Sequence, residues 1–295
     1  MKIGLRIPGA GPNTSPENIV TVAGWAEELG YHSVWISDHV VLPEPEQVKS
    51  VYPYDPENQW RLPADTDWLD PLLVLAWAGA VAPSVRLGMS VMVVPLRNPV
   101  LLAKQLASLD FLTGGRVILG AGVGWMKEEF DLIGVPFKRR GARTAEMVEL
   151  MRAFWSGDTV DFQGEFYQVE NCKMQPGPVQ QTIPIVWGGH SDFALKRVAK
   201  LGDGWHPTQT TMPELAAGMD RLRSFCQTYG RDPASVTIIA RPGKVYPLNA
   251  ETYAEHQKLG IDQIVIDPPL DDPTLKACRT EMERVAGVCG LQARS

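Results

Sequence analysis

The chain has 295 residues, 44% of them hydrophobic and 21% charged, with 27 glycines and 24 prolines. That is the composition of a globular α/β protein, and no linker or low-complexity tract divides it, so residues 1–295 read as one domain. The net charge of −6 argues against a nucleic-acid partner, which needs a basic face against phosphate. No apolar run approaches the roughly 18 residues that span a bilayer.

Four scattered cysteines, Cys172, Cys226, Cys278 and Cys289, form no C-x-x-C pair and read as thiols of a reducing cytoplasm. The N-terminus reads as a strand over residues 2–7 and not as a signal peptide, because Arg6 and Pro8 interrupt any apolar core. Ser15 and Pro16 then open a helix that Gly30 stops, and residues 33–37 form a second strand. A long stretch rich in Pro, Tyr and Trp follows, from Asp38 to Asp70. A loop of that length in a compact domain is usually functional, often a lid.

Asp70-Pro71 begins a second helix to Val81, and residues 86–91 a third strand. Asn98-Pro99 caps a third helix, residues 117–121 form the fourth strand, and residues 142–155 the fourth helix. A hairpin over residues 159–169 precedes the fifth strand at 183–187 and its helix at 191–201. Residues 203–206, 236–240 and 263–266 supply three more strands, with helices at 213–229, 250–258 and 273–288. Eight strands alternating with helices predict a (β/α)8 TIM barrel with two insertions, the long loop after strand 2 and the hairpin before strand 5, with an open doubly wound sheet as the alternative.

A barrel places its chemistry at the C-terminal ends of its strands. That rule selects Asp38 and His39, Ser90, the loop from Gly122 to Glu129, the stretch from Trp187 to Ser191, His206, Arg241, Lys244 and Asp267. The glycine-rich loop from Gly120 to Gly124 lets backbone approach a flat ligand. Gly188-Gly189-His190-Ser191 leads into a helix N-terminus suited to a phosphate, with Arg197 two turns further in. Alternatively, Ser191 only caps the helix. His39 is a candidate acid or base, or a histidine packed under the long loop. Glu128 and Glu129 read more readily as first-turn carboxylates of a short helix than as an acid–base pair. The five histidines show no metal-ligand spacing, so no metal is expected. Trp60, in the polar loop, is the best tryptophan for stacking on a ligand. Lys244 is the one lysine placed for a Schiff base, which keeps a phosphate-substrate aldolase or isomerase as a distant alternative.

Several segments in order resemble the bacterial luciferase-like monooxygenase superfamily. They are Leu87-Gly88-Met89-Ser90-Val91-Met92-Val93-Val94-Pro95, Leu109-Asp110-Phe111-Leu112-Thr113-Gly114-Gly115-Arg116, the loop from Gly120 to Trp125 with Glu129-Phe130, and Gly134-Val135-Pro136-Phe137. Trp187-Gly188-Gly189 and Gly202-Asp203-Gly204-Trp205 continue the likeness, which carries from residue 1 to about 210. Within the superfamily, Ser37-Asp38-His39 is similar to the branch that uses the deazaflavin coenzyme F420 in place of FMN. The resemblance implies that Asp38 touches the deazaflavin edge and that His39 lies near the site of hydride transfer. It implies that Ser90-Val91, joined by a non-proline cis peptide, lies under the ring. The loop from Gly122 to Glu128 then flanks the ring, and Gly188, Gly189, His190 and Ser191 hold the phosphate. Trp125 departs from the sugar-phosphate dehydrogenases of that branch, which have a catalytic Glu there. The expectation is an F420-dependent oxidoreductase acting on a small molecule, a cytoplasmic homodimer with no nucleic-acid or membrane partner. The alternatives are an FMN-dependent monooxygenase of the same fold and a non-catalytic flavin-binding relative.

Overall fold

The computed structural model describes residues 1–55 and 57–294. In chain order the elements are β1 (Lys2–Arg6), α1 (Pro16–Glu28), β2 (Ser33–Ile36), α2 (Pro71–Val81), β3 (Arg86–Met89), β4 (Met92–Val93), α3 (Pro99–Leu112) and β5 (Val117–Gly122). Next come α4 (Lys127–Ile133), α5 (Arg140–Trp155), β6 (Val160–Gln163), β7 (Gln168–Cys172), β8 (Ile185–Gly188), α6 (Asp192–Leu201) and β9 (Gly204–His206). The chain ends with α7 (Met212–Thr228), β10 (Thr237–Ala240), α8 (Ala250–Leu259), β11 (Gln263–Ile266) and α9 (Lys276–Cys289).

Eight strands pair in parallel in the cyclic order β1-β2-β3-β5-β8-β9-β10-β11, and β11 returns to β1. This is the closed (β/α)8 barrel, with the expected loop after β2 and the β6–β7 hairpin ahead of β8. The predicted caps form as read. The Ser15 hydroxyl accepts from Asn18 N–H, the Asp70 carboxylate from Leu72 and Leu73 N–H, and the Asn98 side chain from Val100 and Leu101 N–H, each ahead of a proline.

Two departures bear on the site. The third strand does not run through residue 91: β3 stops at Met89, the Ser90–Val91 peptide is cis, and the strand resumes as β4 beside β5. Here the chain end of β3 lies directly on β5, so that a Cβ on Gly120 would sit 1.7 Å from the Met89 carbonyl oxygen. A further short helix, α4, stands between the glycine loop and the helix read at residues 142–155. At the chain end, α9 starts at Lys276 and not at 273, because the Asp272 carboxylate first holds Thr274 and Ala277 N–H in a turn.

The barrel interior has its own small core of Trp35, Ile118, Val186, Ile239 and Val265, apart from the larger core between strands and helices. The Trp35 indole fills its centre. A Cβ on Gly88 would meet that ring at 2.4 Å, so glycine there makes room for it. Trp35 stacks on His206 at 5.1 Å and donates to the Ser33 hydroxyl at 2.7 Å, closing the barrel below the mouth.

Candidate active site

At the C-terminal ends of the strands lies a cavity of about 670 Å³, within the range of cofactor and substrate sites. Asp38, His39, Ser90, Val91, Gly122, Gly188 and Gly189 all line it, together with Arg6, Arg241 and the rings of Tyr52, Trp60, Trp68 and Trp125. Trp60, though it comes from a polar loop, is only 7% exposed.

Val91 forms one wall with glycines on both sides. A Cβ on Gly122 would lie 2.5 Å from Val91 Cγ2, and one on Gly188 3.1 Å from Val91 Cγ1. The absence of side chains at 122 and 188 therefore lets the valine lie flat between β5 and β8. Ser90, the preceding residue, is tied to two strands beyond. His206 Nδ1–H donates to the Ile239 carbonyl at 2.7 Å, so its Nε2 is left to accept the Ser90 hydroxyl proton, also at 2.7 Å. Burial, with nearby Arg241, pulls the His206 pKa down from 6.5 to about 4 and keeps the ring neutral in this arrangement. Arg241 Nη1 in turn donates to the Ser90 hydroxyl oxygen at 3.2 Å.

His39 is held by a carboxylate from α4. Its Nδ1–H donates to Glu129 Oε2 at 3.1 Å, which leaves Nε2 without a partner among the described residues. The other Glu129 oxygen accepts Val40 N–H at 2.5 Å, and Glu129 is only 1% exposed. Trp68 packs edge-on to the imidazole at 4.7 Å, with Trp60 at 5.2 Å and Trp125 at 6.1 Å. Tyr52 closes this aromatic group against Trp60 and Trp125.

Asp38 reaches the cavity wall, but its carboxylate is fully engaged. Arg97 takes both oxygens, at 2.6 and 2.8 Å, and Val93 N–H donates to one of them at 2.8 Å. The residue thus clamps the segment after Val91 onto β2. Glu128 lies outside the cavity lining and accepts from Lys49 and Ser50 N–H, pinning the long loop. Burial opposes its ionisation, yet the Ser50 and Lys49 bonds prevail and hold it below the usual carboxylate range. His190, Ser191 and Arg197 also lie outside the lining. The Ser191 hydroxyl accepts Ala194 N–H at 3.3 Å as the α6 cap, and the Arg197 guanidinium lies over the Trp187 ring at 5.1 Å. Burial, then Arg140, pushes the Arg197 pKa down. Among the described residues, the buried His190 Nδ1 has no partner. Lys244 is exposed and away from the cavity, so the aldolase reading loses its nucleophile.

The roles of Glu129, Arg97 and Arg6 escape a local reading of the sequence. Glu129 ends the loop that the strand-end rule selects, but its partner His39 is 90 residues away. Among the described residues, no group of three or more His, Cys, Asp or Glu is placed to hold a metal, and no helix is long and apolar enough to cross a membrane.

Residues 1–264 match the luciferase-like monooxygenase family. An uncharacterized protein of Mycobacterium tuberculosis is 36% identical over 225 residues, covering 76% of this chain and 77% of the relative. An F420-dependent glucose-6-phosphate dehydrogenase of Kineococcus radiotolerans is 29% identical over 281 residues, covering 87% of this chain and 77% of the relative. Among solved structures, the coenzyme F420-dependent tetrahydromethanopterin reductase of Methanopyrus kandleri shares the fold, with a TM-score of 0.74 at 16% identity over 99% of each chain. With the barrel, the interrupted third strand and the match along most of its length, this chain belongs to the luciferase-like monooxygenase family.

Proposed function

We propose that this protein is a coenzyme F420-dependent oxidoreductase that moves a hydride between the deazaflavin and a small organic substrate held under the long loop. One observation carries the reading. Val91, lying flat between Gly122 and Gly188, faces a cavity whose other wall presents His39 fixed by Glu129. A flat ring fits on such a floor, because a Cβ at either glycine would lift the valine into its place. The name of the Kineococcus relative supports F420 over FMN.

Bound on this floor, the deazaflavin would supply a hydride donor or acceptor. The protein's residues do the rest. Gly188 and Gly189, the latter at φ 99°, would let the backbone approach the cofactor phosphate, with the capped start of α6 behind them. His190, whose Nδ1 has no partner among the described residues, follows them in sequence. His39 gives or takes the accompanying proton at Nε2, while Glu129 fixes the ring and its tautomer. Tyr52, Trp60, Trp68 and Trp125 exclude water from the reacting groups. Because the Trp125 indole faces His39 where a glucose-6-phosphate dehydrogenase would place its glutamate, sugar-phosphate oxidation is not the activity we propose.

Fluorescence titration with F420 and FMN tests the assignment. F420 should bind at least about tenfold more tightly; equal or reversed affinities would move the protein to the FMN-dependent monooxygenases. His39→Asn should lower turnover by about 10²–10⁴, the usual range for a lost general acid or base, and leave cofactor affinity within a few-fold.

We propose also that the protein acts in the cytoplasm, in keeping with four free thiols, and as a homodimer. Helix α2 is apolar on every side, PLLVLAWAGAV, and leaves Leu73, Trp77 and Val81 exposed. A helix of that kind is normally buried all round. On α3, Leu101 and Leu112 are exposed as well. Light scattering should give twice the chain's mass, and Trp77→Glu should give the monomer.

A further inference from the structure

Two guanidiniums share one carboxylate at the barrel mouth. Asp267 takes Arg241 Nε and Nη2 at 2.9 and 2.7 Å, and Arg6 Nη1 at 3.2 Å. Arg6 and Arg241 line the cavity, whereas Asp267 stands behind them. Among the described residues the Arg6 side chain makes only that one hydrogen bond, and its Nε is buried without a partner. Burial first, then Arg241, pushes the Arg6 pKa down, as expected of a cation with too little counter-charge.

The other groups nearby do not restore the balance. His206 is neutral, Asp38 is committed to Arg97, and Glu129 to His39 and the Val40 backbone. Tyr52, from the long loop, is held above its usual range by burial and so presents a neutral hydroxyl. One positive charge is left over, facing a cavity whose lining includes the rings of Tyr52, Trp60, Trp68 and Trp125.

Arg241 reaches the Ser90 hydroxyl at the edge of the glycine floor, but the strands that carry the two arginines are not those of the floor. In the cyclic strand order, the floor rises from β3, β5 and β8, while Arg6, Arg241 and Asp267 stand at the ends of β1, β10 and β11. These lie across the mouth, with His39 after β2 between the two groups. A flat cofactor on the floor leaves this far side for the substrate.

We propose that Arg6 and Arg241 receive a carboxylate of the substrate, and that the substrate is a planar organic acid whose apolar body lies among Tyr52, Trp60 and Trp68. This assignment rests on the cofactor reading above, since it takes the floor to be occupied. Guanidinium forks match a carboxylate's two oxygens, and the match is strongest where water is excluded.

Calorimetric titration of the full-length protein, with and without F420, would use benzoate and cinnamate against their isosteric amides, benzamide and cinnamamide. The acids should bind at least about tenfold more tightly than the amides. Arg6→Gln should erase that preference, Arg241→Gln should do the same, and Arg6→Lys should keep part of it. Should Arg6→Gln fail to fold, the Arg241→Gln and Arg6→Lys titrations still decide the matter. Equal affinity of acid and amide for the wild type overturns the carboxylate site. So does a folded variant pair that binds benzoate as the wild type does. If the substitutions weaken F420 and not benzoate, the arginines serve the cofactor and the proposal falls. If F420 fails to bind the wild type while the acid preference persists, the cofactor reading falls and the anion site stands.

Discussion

Gly122→Ala should damage the cofactor floor far more than Gly188→Ala, although each adds one methyl group. Carbon atoms in contact approach to about 3.5 Å. The Cβ at 122 would lie 2.5 Å from Val91 Cγ2, an overlap of roughly 1 Å, and that at 188 would lie 3.1 Å from Val91 Cγ1, an overlap of roughly 0.4 Å. Gly122 cannot retreat, because its strand pairs with β4 through Val93. Val91 must therefore move, and the open side is the cavity. Overpacking of this kind costs about 1–3 kcal/mol, so Gly122→Ala should lose that much in urea unfolding and Gly188→Ala less than about 1 kcal/mol. A valine raised by about 1 Å also spoils the seat of the ring. F420 affinity, read by fluorescence quenching, should fall at least tenfold in Gly122→Ala, equivalent to about 1.4 kcal/mol, and no more than about threefold in Gly188→Ala. Wild-type affinity in a folded Gly122→Ala protein, or a larger loss from Gly188→Ala, would refute the floor.

His206 makes stability depend on pH in a defined window. Its native pKa is pulled by burial from 6.5 to about 4, so between those values the unfolded chain binds a proton that the native state refuses, and stability falls as pH falls. At 1.36 kcal/mol per unit, the full gap is worth about 3 kcal/mol. The difference in unfolding free energy between wild type and His206→Gln should therefore narrow by about 2–3 kcal/mol from pH 7 to pH 4.5; an unchanged difference would mean that His206 is not held neutral. Glu129→Gln removes the carboxylate that fixes the His39 tautomer and the Val40 N–H. Turnover should drop about 10²–10⁴-fold with cofactor affinity nearly intact, and stability by about 1.5–3 kcal/mol. A stable, fully active variant would deny Glu129 its positioning role.

The barrel was legible because its signals are local. Ser15, Asp70 and Asn98 each announce a helix with a proline behind, and short apolar runs alternate with them at barrel spacing. The rule that chemistry gathers at strand ends then brought Asp38, His39, Ser90, Gly188 and Arg241 under suspicion, and the structure sets all five around one cavity. What stayed hidden was pairing across the fold. Glu129 satisfies every local criterion for a first-turn carboxylate, yet its oxygens go to His39 and Val40, about a quarter of the way round the mouth. Arg97 looks like an ordinary residue between Leu96 and Asn98, and only the pairing of β2 with β3 carries it to Asp38. In the sequence Arg6 reads merely as a charge breaking an apolar N-terminus. Long-range partners leave no periodic trace, since nothing in the spacing along the chain encodes which strand ends will meet.

The adjacent carboxylates of α4 hold the long loop at two points of unequal strength. Glu129 grips its root at His39 and Val40 from a buried position, whereas Glu128 grips Lys49 and Ser50 through bonds open to water. Water competes for the second grip far more effectively than for the first. The root of the loop at His39 is consequently held more firmly than its part at Lys49 and Ser50. On the proposed mechanism, yielding of the outer grip alone would leave the His39 imidazole aligned by Glu129.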